Sequence, residues 1–287
     1  MQYPLVSTAW LEANLFEADV IVLDASMDNV IGKTPIVYDK FIAIPRAQKI
    51  DLETVFCDTS AAQVHAMPSV EQFNQGIANL GIDSDSTVVI YDNQGIYSSP
   101  RAWWMFKVMG FERVFVLDGG LPQWLLEGRM TAELYHQHQR QGHFKGQYQA
   151  GLVCDMAYVL ARFDADNAHV FDARAASRFN GEVAEPRPNV RRGHIPGSIN
   201  LPFSEVLDGH KLQATPVLQA LFAQQDGGDN IERIFTCGSG ITACILILAA
   251  VASGCSKTLL YDGSWSEWGR HHHLPISPCE PGVSPDA

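Results

Sequence analysis

The sequence predicts an α/β protein made of two tandem copies of one domain, each a parallel sheet flanked by helices. Three observations predict it: strand-like runs alternate with helical stretches, motifs recur at a steady offset, and 287 residues suit two domains. In the clearest recurrence, Asp118 precedes Trp124 by the same interval that separates Asp262 from Trp268. Matched motifs lie 144 to 151 residues apart, which is far longer than a solenoid repeat. We infer a duplicated domain.

Six short runs rich in β-branched residues predict the central strands. They are VIVLDA, TVVIYD and RVFVLDG in the first copy and HVFDA, RIFTC and TLLYDG in the second. The stretches SSPRAWWMFKVMG and ITACILILAAVAS lie between strands and predict helices. Strand–helix–strand connections give parallel sheets, whose ligand sites lie beyond the carboxyl ends of the strands. Asp92 and Cys237 both stand at such an end.

A polar segment joins the two predicted domains. Residues 134–151 are rich in Gln, His and Gly and lack an apolar period, which is typical of a linker. We therefore predict a first domain over 1–133 and a second over 152–287.

Composition and charge limit the partners and the location. The net charge of −12 disfavours nucleic acid and anionic membranes. The strictly apolar run 243–252 is too short to cross a bilayer and fits a core helix. We see no signal peptide at the N-terminus, and the six scattered cysteines suggest no disulfide framework. We expect a cytoplasmic protein.

Cys237 is the candidate nucleophile. It ends an apolar strand and is followed by Gly-Ser-Gly and a helix, so that backbone N–H groups turn inward at a helix N-terminus and attract an anion such as a thiolate. The alternative is that Cys237 is a small buried hydrophobic residue. That structural interpretation is our prediction for the remaining cysteines, which are Cys57, Cys154, Cys244, Cys255 and Cys279.

Four motifs resemble those of the two-domain rhodanese-like sulfurtransferases, and the resemblance covers nearly the whole chain. They are DARAASRFNGEVAEPRP, GHIPGSINLPF, CGSGIT and LLYDGSWSEW. The resemblance implies two tandem rhodanese-like domains. The uncharged CGSG loop is similar to that of the 3-mercaptopyruvate-using branch of the family, whereas the thiosulfate-using branch has cationic side chains after the cysteine.

The resemblance also implies the chemistry. Cys237 would take a sulfur atom from 3-mercaptopyruvate as a persulfide, release pyruvate, and pass the sulfur to cyanide or to a thiol such as thioredoxin or a low-molecular-weight thiol, with no cofactor and no metal. Ser239 would assist proton movement at the donor carbonyl. Arg178 and Arg187 would bind the donor carboxylate, although a surface or salt-bridging role is the alternative. The residues implied to hold the persulfide through backbone N–H groups run from 238 to 242 and include Gly238, Gly240, Ile241 and Thr242.

The first copy departs from the second at the nucleophile. It has Asp92 where the second copy has Cys237, and a carboxylate cannot carry a transferable sulfur. The resemblance therefore implies a catalytically silent first domain that forms one wall of the cleft.

The first copy also departs from the family. The family's first domain reads His-Ile-Pro-Gly with a substrate-contacting histidine, whereas this chain reads AIPR and has Ala43 at the histidine position. The resemblance therefore does not assign donor-carbonyl recognition to this position of the first domain. Arg46 is either a replacement charge or a surface residue, and Asp39 is the candidate acidic partner.

Other functions are weighed against sulfur transfer from 3-mercaptopyruvate. Thiosulfate could be the preferred donor, although a dianion would favour cations in the loop itself. A non-enzymatic sulfur carrier or binding module would hold sulfur without turnover. A cysteine phosphatase needs an arginine six residues after the cysteine, where this chain has Ala243.

The remaining conspicuous residues are assigned structural roles. The triplet His271–His273 lacks paired cysteines and does not indicate zinc. The residues predicted to brace loops and strand ends are Asp172, Arg174, His194, Asp262 and Trp265. The alternatives are pocket lining for Asp262 and Trp265 and a catalytic role for His194.

Overall fold

The computed structural model describes residues 3–138, 140–226 and 231–278, and over these ranges the chain forms two copies of one α/β domain. Each copy contains a five-stranded sheet, and every strand pair in the two sheets is parallel. The predicted fold class is confirmed. Cys279, the last predicted structural cysteine, lies outside the described residues.

The first sheet has the strand order β1-β5-β4-β2-β3. Its strands are β1 (Leu5–Val6), β2 (Val20–Asp24), β3 (Gln48–Lys49), β4 (Thr87–Tyr91) and β5 (Val114–Leu117). The helices of this copy are α1 (Thr8–Asn14), α2 (Val70–Asn79), α3 (Ser99–Val108) and α4 (Gly120–Leu126).

The second sheet repeats this topology with the order β6-β12-β11-β7-β8. Its strands are β6 (Val153–Cys154), β7 (Ala168–Asp172), β8 (Ile199–Asn200), β11 (Glu232–Thr236) and β12 (Thr258–Tyr261). A separate antiparallel hairpin is made of β9 (Leu207–Asp208) and β10 (Lys211–Leu212). The helices are α5 (Met156–Leu160), α6 (Ala176–Phe179), α7 (Thr215–Asp226), α8 (Ala243–Ser253) and α9 (Ser264–Trp268).

The central strands and two helices build a core that both copies share. Strands β2 and β4 are buried along their whole length, as expected for parallel strands covered on both faces. Helix α8 is apolar around its whole circumference, so it can be buried on all sides, and it packs against α3 of the other copy. Helix α8 ends at Gly254, whose φ of 94° permits the left-handed cap. Because α3 and α8 belong to different copies, their contact makes the interface between the copies part of the core.

The polar segment 134–151 lies along the surface of the first copy. Its backbone donates hydrogen bonds from His136 to Ala47, from Gly142 to Ala78 and from Phe144 to Ile82. These bonds hold the segment in place although it lacks an apolar face of its own. No helix within the described ranges combines the length and the apolar character needed to cross a bilayer.

Candidate active site

Cys237 lines a cavity of about 310 Å³ between the two copies. The residue follows β11 directly, and β11 lies between β12 and β7 in its sheet. The side chain is 2% exposed, yet it lies in the same cavity wall as Arg178 and Arg187. Cys237 is therefore both part of the apolar core and open to a polar cavity.

The loop after Cys237 is held through its carbonyl groups. Trp265 donates its backbone N–H to the Cys237 carbonyl at 2.9 Å, and Ser266 donates to the Gly238 carbonyl at 2.9 Å. Gly240 has a φ of 81°, a conformation that L side chains rarely adopt, so the tight turn requires glycine here. Helix α8 begins three residues later, at Ala243.

The backbone N–H groups of this loop have no acceptor among the residues that the structure describes. Between residues 3 and 278, excluding the gaps at 139 and 227–230, nothing accepts a hydrogen bond from the N–H groups of 238–242. Buried N–H groups are nearly always paired, so a consecutive run of unpaired donors beside a cavity indicates a binding site for an anion. Of the five residues predicted to donate here, Gly238, Ser239, Ile241 and Thr242 line the cavity, and Gly240 forms the turn between them.

The two predicted arginines both line the cavity, but their surroundings differ. Arg187 donates to Ser239 Oγ at 3.3 Å and forms no ion pair with any residue in the described ranges. Burial lowers the pKa of Arg187, and the nearby Cys237 opposes that shift. Arg178 instead pairs with Glu185, which it contacts through Nε at 3.3 Å and through Nη2. Arg187 thus has no ion-pair partner among the described residues, whereas Arg178 has a carboxylate beside it.

Beneath Arg178, a buried network anchors the end of β7. Arg174 donates through Nε and Nη2 to Asp172 Oδ2 at 2.9 and 2.6 Å, and through Nη1 to Glu185 Oε1 at 2.9 Å. Its guanidinium lies 4.6 Å from the ring centre of Trp265. This is the arrangement that the predicted bracing role of Asp172 and Arg174 requires.

His194 lies within its loop and does not line the cavity. Its Nδ1 is 2.7 Å from the Phe179 carbonyl, and its ring stacks on Phe179 with centroids 3.6 Å apart. Its backbone pairs with Ser277. These contacts fit the predicted bracing role.

The first copy contributes a histidine that sequence analysis missed. His65 lines the cavity, and its Nδ1 lies 3.1 Å from Ser239 Oγ. Burial, together with the guanidinium groups of Arg101 and Arg187, lowers the pKa of His65 to about 4. The imidazole is therefore neutral near pH 7, so that one ring nitrogen donates and the other accepts.

The first-copy residues considered for substrate contact lie outside the cavity, so Arg46 does not supply a replacement charge there and Asp39 is not an acidic partner within it. Ala43 is fully buried and pairs through its backbone with Ala132, away from the cavity. Arg46 donates to the carbonyl groups of Leu15 and Glu17 and does not line the cavity, and Asp39 is exposed outside it. Ala43 therefore takes no part in the cavity wall. The first-copy residues in that wall are Met27, Asn29, Ile31, Gly32, Glu53, Val64, His65 and Tyr97.

Comparison with known proteins identifies a common family and fold. A family model for the rhodanese-like domain matches residues 7–127 and 155–271. The chain is 34% identical to 3-mercaptopyruvate sulfurtransferase from Escherichia coli (strain K12), over 96% of this chain and 98% of that protein. It is 37% identical to thiosulfate/3-mercaptopyruvate sulfurtransferase 1, mitochondrial, from Arabidopsis thaliana, over 96% of this chain and 79% of that protein. The crystal structure of SseA from Escherichia coli matches with a TM-score of 0.79 and 32% identity, over 92% of this chain and 99% of that one.

Proposed function

The chain belongs to the rhodanese-like family, and from this premise we propose that it is a sulfurtransferase that moves sulfur from 3-mercaptopyruvate to a thiol acceptor or cyanide. The observation that carries the proposal is the shared cavity of Cys237, the two arginines, and a Ser239 hydroxyl in contact with both His65 and Arg187. The second copy is the proposed catalytic domain (152–287), joined by the linker 134–151 to a catalytically silent first domain (1–133).

Donor binding is assigned to Arg187 and Arg178. A guanidinium can bind a carboxylate with two parallel hydrogen bonds, and Arg187 has no carboxylate partner of its own in the described ranges. Arg178 is held by Glu185, so it keeps a fixed position at the cavity wall. A donor carboxylate can therefore pair with Arg187, while Arg178 stands beside it in the same wall.

The first half-reaction transfers one sulfur atom. The Cys237 thiolate attacks the donor sulfur, forms an S–S bond and breaks the donor C–S bond. The electron pair of that bond passes into the enolate of pyruvate, which takes up one proton at carbon to give pyruvate. The products are the Cys237 persulfide and pyruvate, and no external oxidant or reductant is consumed.

Ser239 and His65 are assigned to the enolate. Negative charge develops on the donor carbonyl oxygen as the C–S bond breaks, and a hydroxyl donor stabilises that charge. The neutral His65 imidazole, 3.1 Å from Ser239 Oγ, can orient the hydroxyl and exchange its proton. The unpaired N–H groups of the loop then hold the outer sulfur of the persulfide.

The second half-reaction returns Cys237 to its starting state. An acceptor thiolate attacks the outer sulfur, the S–S bond breaks, and the Cys237 thiolate leaves. A second thiol then attacks the acceptor persulfide, forms a disulfide with the acceptor sulfur and displaces sulfide. Thioredoxin or a low-molecular-weight thiol in the cytoplasm is the proposed acceptor.

The proposal is tested by following pyruvate and sulfide from purified protein with 3-mercaptopyruvate and dithiothreitol. We expect both products in equal amounts, none from Cys237→Ser, and unchanged rates from Cys255→Ser, a matched variant of a partly exposed thiol outside the cavity. Equal product from wild type and Cys237→Ser would overturn the proposal. Thiosulfate is the second candidate donor, and a larger kcat/KM for thiosulfate would reverse the order of donors.

A further inference from the structure

His65 has an unusual backbone conformation that neighbouring groups hold in place. Its φ is 59°, in the left-handed region that non-glycine residues seldom occupy. Arg101 Nη2 donates to the His65 carbonyl at 2.5 Å, and the Met67 N–H donates to Asp262 Oδ2 at 2.8 Å. An unfavourable conformation of this kind persists where the surroundings hold it firmly, and such sites are often functional.

Arg101 and Asp262 are themselves a buried ion pair between the copies. Arg101 lies on α3 of the first copy, Asp262 follows β12 of the second, and Arg101 Nη1 is 2.7 Å from Asp262 Oδ1. Their side chains are 1% and 12% exposed. Arg101 contacts the segment that carries His65 through Nη2, and Asp262 contacts it through Oδ2.

The same pair also adjoins the nucleophile loop. A Cβ added at Gly240 would lie 3.1 Å from Arg101 Nη1 and 3.1 Å from the Asp262 carbonyl. Gly240 immediately follows Ser239, the hydroxyl partner of His65. The ion pair therefore touches both chain segments whose side chains meet in the cavity.

We propose that the Arg101–Asp262 pair positions His65 against Ser239 and thereby supports proton movement at the donor during sulfur transfer. Both residues are positioning residues, because neither lines the cavity. The inference rests on the proposed function, since it assigns a role within the first half-reaction. It also gives the first copy a part in the chemistry, through α3 and the segment that precedes α2.

The two half-reactions separate a positioning role from general loosening of the structure. Persulfide formation from 3-mercaptopyruvate needs proton movement at the donor, whereas transfer from a persulfide, loaded with inorganic polysulfide, to cyanide does not. For Asp262→Asn we expect kcat with 3-mercaptopyruvate to fall about 10- to 100-fold, because small misplacements of catalytic groups have effects of this size. We expect KM and the cyanide rate to change less than about twofold.

A double-mutant cycle tests whether the pair acts through His65. If it does, adding Asp262→Asn to His65→Gln causes no further loss of kcat. Multiplicative losses, or an equal slowing of both half-reactions by Asp262→Asn, would overturn the positioning role. If wild type itself lacks turnover with 3-mercaptopyruvate, the proposed function fails as well, so the two failures are distinguishable.

The duplicated fold supplies a matched control. Asp118 is the repeat counterpart of Asp262, and it also spans the interface by accepting the Leu212 N–H at 3.1 Å. Asp118→Asn should leave both half-reactions unchanged. Where Asp262→Asn fails to fold, Arg101→Lys keeps the charge but not the two-pronged contact, and the same selective loss of the first half-reaction is expected. A uniform loss in that variant would contradict the inference.

Discussion

The loops that follow β4 and β11 occupy equivalent places in the two copies but are filled differently. In the first loop, the Asp92 carboxylate accepts N–H bonds from Gln94, Tyr97, Ser98 and Ser99 at 2.9 to 3.0 Å. It also accepts the Ser99 hydroxyl at 2.6 Å. In the second loop, the equivalent residue is a thiol, and the N–H groups of 238–242 have no acceptor in the described part of the chain.

The shared backbone explains why one replacement changes the role of the loop. Gly95 and Gly240 each lie three residues after Asp92 and Cys237, and both have positive φ, at 104° and 81°. The same turn therefore directs N–H groups inward in both copies. A built-in carboxylate satisfies them in the first copy, whereas a transferred sulfur is the proposed ligand in the second.

The largest expected effect follows from removing the thiol of the second loop. Cys237→Ser should reduce 3-mercaptopyruvate turnover by about 10⁴-fold or more, because the covalent route is lost. Asp92→Cys, which places a thiol in the first loop, should not restore turnover in that variant, because neither Arg187 nor His65 lies there. Stopped-flow measurement of pyruvate formation tests both variants, and activity restored by Asp92→Cys would contradict the comparison.

For stability we expect the opposite order, with a larger loss from substitution in the first loop than in the second. Asp92→Ala leaves several buried donors unpaired and should lower the free energy of unfolding by about 3–5 kcal/mol. Cys237→Ala removes one sulfur beside an existing cavity and should cost roughly 1 kcal/mol. Chemical denaturation of the two variants measures the difference, and equal losses would show that the loops play the same structural part.

Substitution of Arg187, which lies beside the second loop, should reduce activity less than removal of the Cys237 thiol but more than a change of pH. Arg187→Lys keeps the charge but loses the bidentate grip, so we expect kcat/KM for 3-mercaptopyruvate to fall about 10-fold. Arg46→Lys lies outside the cavity and serves as the matched control. Equal effects of the two substitutions would show that Arg187 does not bind the donor.

The smallest effect concerns pH. Because burial lowers the pKa of His65 to about 4, the imidazole stays neutral as pH falls from 7 to 5 and gains a proton only below that range. The titration of His65 should therefore leave no inflection near pH 6.5 in the pH dependence of persulfide formation. The pH profiles of wild type and His65→Gln should have the same shape in that region. A rapid-mixing pH series in wild type and this variant tests the prediction, and a His65-dependent limb near 6.5 would contradict it.

Sequence alone predicted the features that local pattern determines. The continuous apolar runs identified the central strands, and the wholly apolar stretch after Cys237 identified α8, because burial on all sides leaves a clear signature. The two-residue edge strands, such as β1 and β3, and the β9–β10 hairpin escaped prediction because they are too short to show a period.

Sequence patterns predicted the part of the candidate site that the second copy contributes, but not the part from the first copy. Cys237, Arg178 and Arg187 stand within motifs, whereas His65 lies among turns and meets Ser239 across 174 residues of chain. Its role depends on how the copies pack, and Arg101 and Asp262 determine part of that packing. No local pattern reports such a contact, and the family resemblance placed the substrate histidine at the position of Ala43 instead.

The most direct test of the central claim is mass spectrometry of the intact protein after exposure to 3-mercaptopyruvate without an acceptor. We predict a gain of one sulfur atom, located by peptide mapping on Cys237 and removed by cyanide. Sulfur on another cysteine, or turnover with no gain of mass on Cys237, would contradict the account.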